Sequence, residues 1–98
     1  MLSINGTRLM ERIHALGEIG KDSEGRRTRL AASDAEKEGR DLVAGWIREA
    51  DLELVVDRIG NMFGIWQTEE NRQEKRLMIG SHIDTVINAG QYDGCLGV

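Results

Sequence analysis

The residues of this chain best suited to chemistry stand together near its end. They are His82, Asp84 and Asp93, set among Gly80, Ser81, Gly90, Gly94 and Gly97. A neutral imidazole is a good ligand for a borderline metal such as zinc. With Ile83 extended, His82 and Asp84 face the same side, because side chains alternate along a strand. Asp84 can then accept the second ring N–H, which fixes the tautomer of His82 and raises its basicity. Asp93 follows a loop loosened by Ala89-Gly90 and precedes Gly94, so its carboxylate can swing back over the strand end. A carboxylate has two oxygens and can bridge two metals about 3.5–4 Å apart. A His-x-Asp pair also serves as a hydrogen-bonded loop anchor, and a glycine-rich loop can be an ordinary turn. Spacing alone leaves both readings open. Cys95 reads as a small buried helix residue rather than a ligand or nucleophile.

These side chains need elements to place them. The apolar run Leu77-Met78-Ile79 predicts a strand over 76–80 that delivers His82 to its carboxyl end, where ligands bind in open α/β sheets. Leu9, Met10, Ile13 and Leu16 recur at helical spacing, which predicts an amphipathic helix from Thr7 to Ile19 stopped by Gly17 and Gly20. His14 falls off that face and reads as solvated. Residues 21–29 form a polar connection with Arg26 and Arg27 in solvent. A second helix runs from Ser33 to Ala50, opened by a Ser33/Glu36 capping box. Its apolar face holds Ala35, Leu42, Val43, Trp46, Ile47 and Ala50, with Trp46 a core residue. Gly39 and Gly45 weaken it by about 1 kcal/mol each unless close packing needs them. Leu52 to Asp57 and Met62 to Trp66 read as strands joined by a turn at Arg58-Ile59-Gly60-Asn61, and 67–75 as an exposed hairpin tip. The expected fold is α/β, ordered helix-helix-strand-strand-strand with a mixed sheet.

The chain has 98 residues, 40% apolar and 31% charged, which suits an ordinary globular chain. No apolar run approaches the roughly 20 residues of a membrane span. A net charge of −4 without a basic stripe argues against general nucleic-acid binding. One cysteine excludes an internal disulfide and fits a reducing cytoplasm, and the first residues lack the pattern of a signal peptide. Asn5-Gly6-Thr7 matches a glycosylation sequon that is incidental without secretion. Asp93 to Val98 reads as the opening of a helix cut short, so we expect residues 1–98 to be the N-terminal portion of a longer catalytic domain.

Gly80-Ser81-His82-Ile83-Asp84-Thr85-Val86 and Ala89-Gly90-Gln91-Tyr92-Asp93-Gly94-Cys95-Leu96-Gly97-Val98 together resemble the first metal-binding segment of the dinuclear-zinc M20 peptidase family. The closer likeness is to its hydantoinase/carbamoylase branch, which includes N-carbamoyl-L-amino acid hydrolases, allantoate amidohydrolases and β-ureidopropionases. Thr28-Arg29-Leu30-Ala31 and Asp57-Arg58-Ile59-Gly60-Asn61 resemble further elements of that branch. Arg29 takes no assigned role from this, since structural anchoring and substrate contact are equally compatible with it. Ala89 stands where the branch usually has a glycine.

The resemblance implies a zinc-peptidase-like catalytic domain in which His82 binds one metal, Asp93 bridges two, and Asp84 orients His82. Zinc is the expected ion, with manganese, cobalt or nickel as alternatives. The implied reaction is hydrolysis of the C–N bond of a small ureido or amide substrate, and the implied parent is a homodimer. The family's general-base glutamate, its remaining ligands and its lid and dimerisation domain lie outside this stretch. The chain alone is therefore expected to be inactive. An aminoacylase or peptidase of the same wider family, or a non-catalytic interaction module, are the competing readings.

Overall fold

A computed structural model of the chain describes residues 3–98. Two helices lead. Helix α1, Gly6–Glu18, begins where the Asn5 side chain accepts the Arg8 amide at 3.0 Å, satisfying one of the free first-turn donors. Ile13, Leu16 and Gly17 are its buried residues, while Leu9 and Met10 stay exposed. It ends where the Ile19 amide turns back to the Leu16 carbonyl and Gly20 takes φ +86°. A side chain at Gly20 would sit 2.5 Å from the Thr28 carbonyl oxygen, so only glycine serves there.

Helix α2, Asp34–Glu49, starts after Ser33, whose hydroxyl accepts the Glu36 amide at 3.1 Å. Only that half of the expected capping box forms. The Ser33 amide bonds Leu30, and the Glu36 carboxylate instead stands 3.8 Å from Arg40. Gly39, Val43 and Ala44 are buried along α2. A methyl group at Gly39 would lie 3.0 Å from the Arg29 side chain, whereas Gly45 has open space around it. One of the two helix glycines is thus there for packing and the other is not.

The residues divide into two compact units: those up to Arg40 together with Ile79–Val98, and Asp41–Met78. In the second unit, β1 (Glu53–Val56) and β2 (Met62–Ile65) pair antiparallel, from Glu53 opposite Ile65 to Val56 opposite Met62. Gly64 lets Ile47 and Leu52 close on β2. The Asp57 carboxylate closes the turn, accepting the Ile59 and Asn61 amides and the Asn61 side chain at 2.8–3.0 Å. Those bonds hold the Asp57 carboxyl below its ordinary range, the Asn61 side-chain amide contributing most.

Among the described residues the expected third strand does not form, and the sheet is an antiparallel pair rather than mixed. Residues 76–80 make no backbone hydrogen bond among the described residues, and Leu77, Met78 and Ile79 are 90%, 78% and 85% exposed. A strand exists only by pairing its amides and carbonyls with a neighbour, and no neighbour runs beside this one. The expected hairpin tip is accordingly a turn-rich connection in which Thr68 and Asn71 bond each other.

In the first unit, the segment after α1 runs back along the last part of the chain. Arg27 bridges Ala89, the Asn88 amide donates to the Thr28 hydroxyl, and the Thr85 amide donates to the Arg29 carbonyl. The Arg29 amide returns a 2.6 Å bond to the Thr85 hydroxyl. The chain then closes in a short 3-10 helix, Cys95–Gly97, where the sequence predicts the opening of a helix.

Candidate metal centre

His82, Asp84 and Asp93 come together in the first unit. The His82 Nδ1 lies 2.8 Å from the Asp84 backbone carbonyl oxygen and 3.3 Å from the Asp84 carboxylate. Asp84 thus stands beside Nδ1, with its main-chain oxygen closer than its side chain. Once Nδ1 carries the proton that this carbonyl accepts, Nε2 is the lone-pair nitrogen of the ring.

That nitrogen faces Asp93, with its carboxylate oxygen 3.6 Å away. The gap is too long for a hydrogen bond, and it brings two electron-pair donors face to face. Two donors held 2.0–2.2 Å from one tetrahedral zinc stand about 3.3–3.6 Å apart. The pair therefore has the spacing of one edge of a metal site. Both side chains are about half exposed, at 53% and 47%, which leaves one side open. No group of three or more His, Cys, Asp or Glu among the described residues is placed to hold an ion. A catalytic zinc takes three protein ligands, and His82 and Asp93 are two residues.

Gly94 seats the ring. It takes φ +76°, and a side chain there would overlap the His82 carbonyl at 2.5 Å and the ring atoms Cε1 and Nε2 at 2.6 and 2.7 Å. The imidazole lies flush on the backbone directly after Asp93. Ala89, in place of a glycine, causes no conflict, because its amide donates to Arg27 at 2.8 Å and the positive φ in this loop belongs to Asn88.

Below the site lies a support of which the sequence suggests only a part, the anchoring that was one of two readings for Arg29. Arg27 is half-buried rather than solvated. Its Nε donates to the Gly17 carbonyl at 2.9 Å and its Nη2 to the Gln91 side chain at 3.1 Å. Arg29 is 1% exposed and the largest fully buried side chain, and Thr85 is buried beside it. For Arg27 the available signal was spacing, which puts residues 27 and 29 on one side of an extended segment. Arg26 does remain at the surface, paired with Asp22 and Glu24. Cys95 is buried as expected.

No protein-family model matches the chain. Individual relatives do. An N-carbamoyl-L-amino acid amidohydrolase of Geobacillus stearothermophilus is 42% identical over 95 residues, covering 97% of this chain and 23% of that protein. An allantoate deiminase of Arabidopsis thaliana is 40% identical over 89% of this chain and 16% of its own length. Among solved structures, a hydantoinase/carbamoylase family amidase from Burkholderia ambifaria superposes over the whole chain with a TM-score of 0.92 and 38% identity. Over its whole length the chain is similar to hydantoinase/carbamoylase family amidases. It spans about a quarter of that solved amidase, 24% of its length. A second hydantoinase/carbamoylase amidase, from Burkholderia phymatum, matches with a TM-score of 0.78 over 98% of this chain and 22% of its own. No helix among the described residues is long and apolar enough to cross a membrane.

Proposed function

We propose that this chain contributes the first part of a dinuclear metal site to an amidohydrolase of the M20 type, acting on N-carbamoyl-L-amino acids or allantoate-like ureido acids. The observation that carries the proposal is the 3.6 Å approach of His82 Nε2 to the Asp93 carboxylate, with Nδ1 tied to Asp84. The amidohydrolases and deiminases among its relatives support the substrate class.

In this reading His82 would hold one divalent ion, zinc first among the candidates, and Asp93 would bridge it to a second. Such ions supply Lewis-acid polarisation of the scissile carbonyl and lower the pKa of the attacking water. The chain's own residues prepare that site. The Asp84 carbonyl keeps the proton on Nδ1, so Nε2 presents its lone pair. Gly94 gives the ring a fixed seat, and the Asp93 carboxylate faces it. A general base must take the proton of the water and pass it to the leaving nitrogen. No Glu follows Glu74, so that group would come from outside this stretch, and the parent would be a cytoplasmic homodimer.

Zinc titration with elemental analysis tests the reading. We expect zinc to bind this chain and to be lost in His82→Ala and in Asp93→Ala. Hydrolysis of an N-carbamoyl amino acid is expected only from a longer product containing the stretch. Zinc indifference of the wild-type chain, or uptake unchanged in both variants, would sink it. Turnover by the 98-residue chain that vanishes in His82→Ala would contradict the inactivity of the isolated stretch.

A further inference from the structure

The buried guanidinium of Arg29 touches both arms of the candidate site. Its Nε donates to the Ile83 carbonyl at 2.8 Å, on the peptide between His82 and Asp84. Its Nη2 donates to the Cys95 sulfur at 3.4 Å, just past Asp93 and Gly94. Its Nη1 is anchored on the end of α1, at the Leu16 and Ile19 carbonyls, 3.0 and 2.8 Å away. Its backbone adds paired bonds to Thr85. Gly39 leaves the room that the side chain fills.

No carboxylate is among the acceptors of this side chain, three of which are backbone carbonyls. A buried cation without a carboxylate is costly to desolvate, and this one is offset by the carbonyls at the end of α1, which an apolar residue would leave without this donor. Capping α1 uses Nη1 alone and does not account for the reach of Nε and Nη2 to Ile83 and Cys95. A planar fork that reaches three separate segments in fixed directions does. We propose that Arg29 is the positioning residue of this site: its guanidinium fixes the His82 arm and the Asp93 arm at the separation a shared metal ion requires. The effect on metal affinity rests on the metal reading given above. The geometric claim does not.

Two variants of the full chain test it, each read in two ways. Zinc affinity is measured by competition with a chromophoric chelator. In zinc-free protein, the nuclear Overhauser cross-peak between His82 Hε1 and Gly94 Hα reports whether the arms still meet. Arg29→Lys keeps the charge and loses the fork. We expect the cross-peak to fade and zinc affinity to fall by about 10-fold or more, as when the outer support of a metal ligand is removed. If that variant loses its helical circular dichroism, Cys95→Ala decides. It leaves the anchor on α1 intact and removes only the link to the Asp93 arm, and we expect the same two changes, smaller in size. A folded variant that keeps both the cross-peak and wild-type affinity overturns the proposal. So does weaker zinc binding with the cross-peak intact. Should the wild-type chain take up no zinc, the metal reading falls and the cross-peak alone judges Arg29.

Discussion

Gly94 is where the site tolerates least. Its positive φ costs a residue with a side chain about 1–3 kcal/mol, and the added atom would overlap the His82 carbonyl and ring. The His82 carbonyl is backbone and cannot swing aside as a long side chain could. Gly94→Ala should therefore lower stability by about 2 kcal/mol and also displace the imidazole from Asp93. Thermal denaturation and the His82 ring resonances check the two parts separately; a variant with wild-type melting and unmoved resonances would refute both. At this scale the sequence singled out the residues that meet in the candidate site and said less about their support. His82, Asp84 and Asp93 announce themselves because few residue types do metal chemistry. Arg27 does not, because an arginine satisfied by a backbone carbonyl looks in sequence like any solvated one, and Arg29 stands out only through the Thr28-Arg29-Leu30-Ala31 resemblance.

The helices were legible because helical periodicity and a cap are local properties. Apolar residues at three- and four-residue spacing, Asn5 and Ser33 need no distant partner to be recognised. The two glycines of α2 part company only in three dimensions. With open space at Gly45, alanine there should stabilise the helix by close to the intrinsic difference, about 1 kcal/mol. Alanine at Gly39 should yield no such gain, since it meets Arg29 at 3.0 Å. Comparison of the two melting temperatures checks this. The turn between β1 and β2 carries a pH dependence. The folded pKa of Asp57 is depressed, so its contribution is fully present above the unfolded value of about 3.8 and is lost as pH falls through the lower folded value. Amide exchange at Ile59 and Asn61 should quicken as pH drops below 4 relative to Asp57→Asn, after correction for intrinsic rates. Equal pH profiles for the two proteins would contradict it.

For the whole molecule, the apolar run Leu77-Met78-Ile79 dominates behaviour in solution. Strand propensity predicts an element there, but an element made by pairing cannot be read from one partner, and none accompanies it here. Three adjacent apolar residues with unpaired backbone are a template for association between chains. Leu77→Lys together with Ile79→Lys should raise the concentration at which the chain stays monomeric, measured by light scattering. Unchanged association would place the sticky surface elsewhere. The clamp under the site has a different consequence, in time rather than in space. Arg29 meets Ile83 and Cys95 across sequence separations of 54 and 66 residues, whereas the helices and the β1–β2 turn close locally. Long loops are the slow step of assembly, because their closure entropy comes before any contact rewards it. During refolding, helical signal should therefore return first, and His82 and Asp93 should find each other last.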